Sequence, residues 1–476
     1  MLLALVLVPL LGALGAFVLP LGQRRPGLIP FIGTLHLALS LWLLGLPAAP
    51  TVGLWLALDP LGKLVLLQVS GIFFLCSLYA PGYLRLRSAR DNRVFCTALL
   101  TFLGMMSLAI LSRHLGLMWV ALESSTLSAA PLLYFNNNPR SIEATWKYLL
   151  IGSVGIALAL LGSFFLAYGA LYAGLDSTLL VDDLLREAPK LSKPWLHGAL
   201  VFLFIGYGTK MGLAPMHSWK PDAYGEAPGL AGTLLSGALT SCAFMAVLRF
   251  FHVADAAGEG DYARELLLAL GLFSMAVASV FMVRQRDFKR MLAYSSVEHM
   301  GILAVGVGVG GGGLFGALYH MLTNGFTKGI LFLSAGNIHR AFGSKRTDEV
   351  RGALQRAPIS AGLLVLGFFA ITGAPPFGPF VSELSILDAA LNGGYRWVCG
   401  LFLLFLFVVF LGMGAAVLTI TQGEPPPPGE GDVLGEAPGT WAPILGFVAV
   451  SLLLGLYLPA PLMGLLREAT AYLEGK

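Results

Sequence analysis

Apolar residues run from one end of the chain to the other in blocks of about 20, parted by short polar stretches that hold most of the charge. Fourteen such blocks fit along the 476 residues. The pattern predicts an all-α polytopic membrane protein with about fourteen transmembrane helices. Residues 1–93 hold spans one to three and residues 94–251 spans four to eight. Residues 264–420 hold spans nine to thirteen, and residues 421–476 an acidic proline-rich linker and span fourteen. The first span, near 2–20, lacks a basic leader and a small-residue cleavage site. It reads as a membrane helix rather than a cleaved signal peptide.

Two blocks are interrupted. The seventh, near 196–216, contains "TKMGLAP", where Pro215 removes a backbone donor. The twelfth, near 359–391, is longer than one crossing requires and contains "TGAPPFGPF", so it reads as one helix broken at Gly373–Pro379, with Gly373, Pro375 and Pro376 as its breaking residues. The interruptions lie five spans apart. Gly/Pro breaks at corresponding positions of two halves point to two inverted five-helix repeats, although two independent kinks give the same pattern.

Composition narrows the class. The chain is 57% hydrophobic and 12% charged, against about 25% charged in soluble domains, and its mean hydropathy is +0.79. A soluble domain with a single anchor does not fit these values. Eighteen of the thirty lysines and arginines fall in loops after odd-numbered spans, among them Arg24, Arg90, Lys220, Arg286 and Arg346. Ten lie on the other side, counting Lys63 and Arg249 at helix edges. The bias predicts both termini outside the cytoplasm. The net charge of +4 therefore reflects orientation and gives no sign of a nucleic-acid partner. Cys76, Cys96, Cys242 and Cys399 are scattered through apolar segments with no metal-ligand spacing.

A few ionisable residues remain inside the spans. Glu123 lies in the fifth, Lys210 in the seventh, His320 and Lys328 in the eleventh, and Glu383 after the break in the twelfth. Intramembrane charges are costly, and function is the default reading for them. The competing reading is a structural ion pair, such as Glu123 with Lys210. Glu298, His299 and Asp388 fall nearer the interfaces in this count. Burial penalises a charged amine and a neighbouring carboxylate offsets that penalty, so moving Glu123 relative to Lys210 would load or unload a proton. Unwound backbone is tolerated beside such a lysine where both line a hydrated path.

The segments "WVALESSTLSAAPLL", "GTKMGLAPMHSWKPDAYGEAPGLAGTLLSGAL", "RQRDFKRMLAYSSVEHMGI" and "HMLTNGFTKGILFLSAGNI" resemble the antiporter-like subunits of complex I, membrane-bound hydrogenases and multisubunit cation/proton antiporters. "SSVEHMG" and "ALESSTLSAAPL" are most similar to the hydrogenase-4 component F group. The resemblance implies fourteen helices with two inverted repeats and broken helices seven and twelve. It places the coupling carboxylate on Glu123, the lysines of helices seven and eleven on Lys210 and Lys328, and the terminal residue of helix twelve on Glu383. There are two departures. Ser241 stands where many relatives carry lysine or histidine, and Asn324 where relatives carry a second histidine. The path from Lys210 to Lys328 then rests on water, Ser241, Asn324 and His320, with His299 as a lesser lining candidate, or it does not conduct.

Three readings follow. The first is a proton-translocating subunit of a respiratory or hydrogenase complex in a prokaryotic inner membrane, embedded in lipid beside other membrane subunits and soluble redox subunits. The second is a cation/proton antiporter or an ion-driven inorganic anion uptake subunit. The third is a non-conducting scaffold of a hydrogenase complex. The chain is expected to bind no cofactor or metal itself, since four scattered cysteines do not suit a cluster and "GVGVGGGG" is not part of a dinucleotide-binding βαβ unit. NiFe, iron–sulfur or flavin centres are expected in partner subunits, so whether the chain counts as enzymatic is left open at this level.

Overall fold

The apolar blocks fold as helices, and the computed structural model describes residues 2–46, 51–87, 90–176, 179–427 and 435–475. The first helices are α1 (Leu2–Val18), α2 (Leu28–Leu44), α3 (Pro60–Arg85), α4 (Arg93–Leu111), α5 (Leu115–Leu133) and α6 (Pro139–Tyr172). A short α7 (Val181–Glu187) precedes α8 (Lys193–Met211) and α9 (Trp219–Glu226). Next, α10 (Gly229–Thr233) and α11 (Thr240–Ala256) are joined by a π-helical turn, Leu234–Leu239, into one rod. Then come α12 (Gly260–Met282), α13 (Phe288–Val309), α14 (Gly312–Phe342), the one-turn α15 (Ala353–Arg356), α16 (Pro358–Ile371) and α17 (Gly378–Asn392). The chain closes with α18 (Arg396–Thr421), α19 (Pro438–Leu456) and α20 (Ala460–Leu473). A two-residue antiparallel hairpin, β1 (Thr51–Val52) with β2 (Leu56–Ala57), precedes α3.

Nine helices among the described residues are long and apolar enough to cross a membrane. They sort by what covers them. The 229–256 rod and α13 are buried along their lengths, whereas most of the apolar surface of α18 is exposed. Leu11, Phe164 and Phe407 are among the large side chains turned outward. Lipid tails solvate an apolar rim as well as protein does, so costly polar groups collect on the central helices.

Both predicted interruptions occur. Helix α8 ends at Gly212, whose φ of 84° is left-handed and favours glycine. The backbone beyond it is not left unpaired. Gly212 and Leu213 donate to the Gly208 carbonyl at 2.7 and 2.8 Å, Ala214 N–H donates to Ser274 Oγ at 2.9 Å, and the Trp219 indole donates to the Thr209 carbonyl at 2.9 Å. The second break, between α16 and α17, covers residues 372–377, and Gly373 has φ 70°. Ala374 N–H returns to the Phe369 carbonyl at 2.9 Å. Gly378 and Pro379, included in the predicted break, instead open α17.

Arg249 is buried, 1% exposed, and donates to Asp59 at 3.0 Å and to the Ile110 and Ser112 carbonyls at the end of α4. Asp59 also caps α3 and pairs with Arg113 at 2.5 Å. These charge-assisted hydrogen bonds link α3, α4 and α11, and removing one partner would leave an uncompensated buried charge. The expected acidic linker lies partly outside the described residues, but Glu436 is tied down. Its carboxylate accepts N–H bonds from Ile359 and Ser360 at 2.8 Å, capping α16.

Candidate functional site

The site begins where α5, α6 and α8 meet. Lys210, in the last turn of α8, is 3% exposed and donates to Glu123 Oε2 at 2.7 Å. Its amine also donates to Thr126 Oγ1 at 2.5 Å, one turn beyond Glu123 on α5. Ser153 of α6 donates to the other Glu123 oxygen at 3.1 Å. Glu123 is 17% exposed at the side of the molecule. The carboxylate therefore sits at the edge, with the ammonium behind it.

The next group was not among the sequence candidates. Lys220, counted there as a loop charge, is fully buried. The segment after the break turns back into the protein as α9, and the Lys220 amine donates to Ser296 Oγ of α13 at 3.0 Å. Its ammonium lies 5.7 Å from the centre of the Tyr224 ring. Lys220 thus drops out of the loop count and joins the buried set. No local signal marked it, because Lys220 follows the end of a predicted span and reads there as a loop charge.

Beside it stands Lys328 of α14, fully buried, donating to Ser295 Oγ at 2.7 Å. Adjacent serines on one helix therefore receive two lysine amines. The two ammoniums repel each other, and Glu298 is the carboxylate that acts on Lys328. Glu298 and His299 are each 1% exposed, midway along α13 rather than near an interface. Asp388, by contrast, is exposed, as expected.

A separate chain of hydrogen bonds joins α13, α14 and α17. His299 Nδ1 lies 2.9 Å from His320 Nε2, and His320 Nδ1 lies 2.9 Å from Ser382 Oγ of α17. The neighbouring Glu383 is 6% exposed, and its Oε1 has no hydrogen-bond partner among the described residues. Gly373 in the break leaves room for it, since a Cβ there would fall 2.4 Å from Glu383 Oε2. Pro375 and Pro376 beside it are exposed.

The remaining candidates are less engaged. Ser241 is buried, but its hydroxyl donates back to the Gly237 carbonyl at 2.8 Å within its own rod. Asn324 is buried with its Oδ1 unpartnered. Pro215 lies in the α8–α9 break without touching the ionisable set by any hydrogen bond, having no N–H to give. Three donor atoms from His299, His320 and Glu383 lie within 4.8 Å of one another, close enough to hold a metal ion. The Lys328 ammonium acts on both imidazoles and opposes a dication there.

Residues 112–411 match the model of the family described as NADH:quinone oxidoreductase/Mrp antiporter, transmembrane. The chain is 35% identical over 348 residues to a hydrogenase-4 component F homolog of Methylacidiphilum infernorum, covering 71% of this chain and 73% of that one. It is 33% identical to NADH-quinone oxidoreductase subunit N of Desulforudis audaxviator, covering 73% and 69%. Among solved structures, a chain of respiratory complex I from Thermus thermophilus superposes with TM-score 0.83 at 26% identity over the full length of both. A chain of the Mrp complex from a Dietzia species shares the fold, with TM-score 0.87 at 20% identity over 99% and 97%. The buried Glu–Lys pair and central lysines thus sit in an antiporter-like membrane subunit, and the chain belongs to the NADH:quinone oxidoreductase/Mrp antiporter transmembrane family.

Proposed function

We propose that this chain translocates protons across a prokaryotic inner membrane, driven by redox chemistry in partner subunits of a hydrogenase or complex I-type assembly. The observation that carries the reading is the line of buried ionisable groups from Glu123 and Lys210, through Lys220 and Lys328, to Glu298, the His299–His320 pair and Glu383. In this reading Glu123 sets the charge of Lys210, and Lys220 takes the central place that Ser241 does not fill. The lysines exchange protons, and His299 and His320 pass them on toward Glu383. A structural staple needs one ion pair and not a row of amines that repel each other, which disfavours a non-conducting scaffold. In this reading flavin, iron–sulfur or NiFe centres belong to the partner subunits.

The proposed topology has fourteen crossings: α1 to α6, α8, the 229–256 rod, α12, α13, α14, α16 with α17, α18, and α19. Spans 94–251 and 264–420 form inverted repeats. Supporting this, each unit carries an ionisable carboxylate on its second helix, half-buried Glu123 on α5 and buried Glu298 on α13, and a broken fourth helix. Loops after odd-numbered spans also converge: Arg90, Arg140, Arg286 and Arg346 line one cleft of about 760 Å³. That face is cytoplasmic and the termini lie outside.

The test measures proton flux against electron flux in sealed vesicles containing the whole complex. Glu123→Gln and Lys210→Ala are each expected to lower flux by about tenfold or more with assembly and electron transfer retained. Wild-type pumping in both variants sinks the proposal, and flux that depends on sodium rather than pH replaces it with cation exchange.

A further inference from the structure

Between Lys210 and Lys220 lies a cluster of three buried aromatic side chains. Trp219, clamped by its indole hydrogen bond to the Thr209 carbonyl, is flanked by two buried tyrosines. Tyr148 of α6 lies 5.2 Å from the Trp219 ring centre at 57°, and Tyr224 of α9 lies 5.8 Å away, edge-on at 81°. The Tyr148 hydroxyl faces Thr126, the group that receives the Lys210 amine. The Tyr224 hydroxyl faces Ser296, the group that receives the Lys220 amine. Neither hydroxyl has a direct hydrogen-bond partner among the described residues. Buried hydroxyls are nearly always satisfied, commonly by a bound water with several polar neighbours. Thr126, Tyr148, Tyr224 and Ser296 provide such neighbours.

We propose that Tyr148 and Tyr224 relay protons between Lys210 and Lys220, each hydroxyl working with a bound water through Thr126 and Ser296. A hydroxyl is both donor and acceptor, so it takes a proton on its oxygen as it releases its own. The tyrosine ends each transfer neutral and the proton moves one place along. One lysine loses the proton that the other gains, and no oxidant or further reactant is needed. The clamped indole fixes both rings, so the route is held by packing and not by a mobile loop. It also explains how a chain with serine at position 241 keeps its first and central lysines in communication. This inference rests on the proton-translocation reading.

The experiment uses the whole complex in sealed vesicles, with the proton-to-electron ratio and its solvent deuterium isotope effect as readouts. Tyr148→Phe and Tyr224→Phe keep the ring packing and delete only the hydroxyl. Each is expected to lower the ratio at least about tenfold, with normal electron transfer and a larger isotope effect on residual pumping. Tyr207→Phe is the control: this hydroxyl is likewise buried and unpartnered, but its ring stacks on Phe250 at 5.4 Å, outside the relay. It is expected to pump as wild type. Wild-type ratios in both relay variants while Lys210→Ala is impaired would overturn the relay and leave the function standing. An equal loss in Tyr207→Phe would also overturn it, because the effect would then belong to any buried hydroxyl. Full pumping in Lys210→Ala would overturn the function and the relay with it.

Discussion

A buried lysine acts as a proton carrier only if it can lose its proton, and that property separates lysine from arginine at the same place. Arginine stays charged in proteins, so it supplies a cation but no exchangeable proton. Lys220→Arg is therefore expected to be as damaging to pumping as Lys220→Met, which keeps the apolar stem and removes the amine. Proton-to-electron ratios in vesicles decide the matter: if arginine supports pumping and methionine does not, Lys220 serves as a fixed charge. The row of partners makes the residues interdependent. Glu123 acts through Lys210, so the double variant Glu123→Gln with Lys210→Ala should pump no worse than the poorer single variant. Strictly additive losses would mean two separate routes.

At the scale of elements, the breaks are where the fold brings backbone and ionisable side chains together. Gly373 is the sharpest case. Its φ of 70° disfavours a side chain, and a Cβ would meet Glu383 Oε2. Gly373→Ala is expected to destabilise the subunit by about 1–3 kcal/mol and to move Glu383, read as a lower unfolding temperature with weaker pumping. An unchanged unfolding temperature would show that the break absorbs the methyl group. The π-helical turn has its own support. Gln68 of α3 donates to the Gly237 carbonyl at 3.3 Å and to the Met321 carbonyl at 2.8 Å, joining the rod to α14. Gln68→Leu removes both bonds while Ser241 still donates to the Gly237 carbonyl, and should cost about 0.5–1.5 kcal/mol per bond, measured by the same unfolding experiment. A loss of pumping without a loss of stability would instead place Gln68 in the path.

For the whole molecule, the arrangement gathers loops distant in sequence on one face. Arg90 and Arg346 line the same cleft, although more than half the chain separates them. Glu259 lies at the start of α12, bound by Lys193 at the start of α8. Reporters at Arg90 and Arg346 are expected in the cytoplasm and one at Glu259 on the opposite side. Cytoplasmic labelling at Glu259 would break the fourteen-crossing assignment. The chain is also expected to oxidise neither hydrogen nor NADH when purified alone. A stoichiometric flavin or metal cluster on the isolated polypeptide would contradict that.

The sequence by itself determined the class and most of the helices, because a bilayer demands long apolar runs and hydropathy is a local property. It marked Glu123, Lys210, Lys328 and Glu383, since a charge inside such a run stands out without knowledge of its neighbours. It also located both breaks, as glycine and proline act on their own backbone. Lys220 escaped because a lysine between Trp219 and Pro221, after a helix break, looks like a loop charge to any local measure. Only the return of α9 into the protein makes it a buried amine on Ser296. Glu298 escaped, and His299 ranked only as a lesser lining residue, for a related reason: depth counted along one helix says nothing of the helices around it. The tertiary structure decided which charges meet, since pairing and burial are set by contacts between segments far apart in the chain.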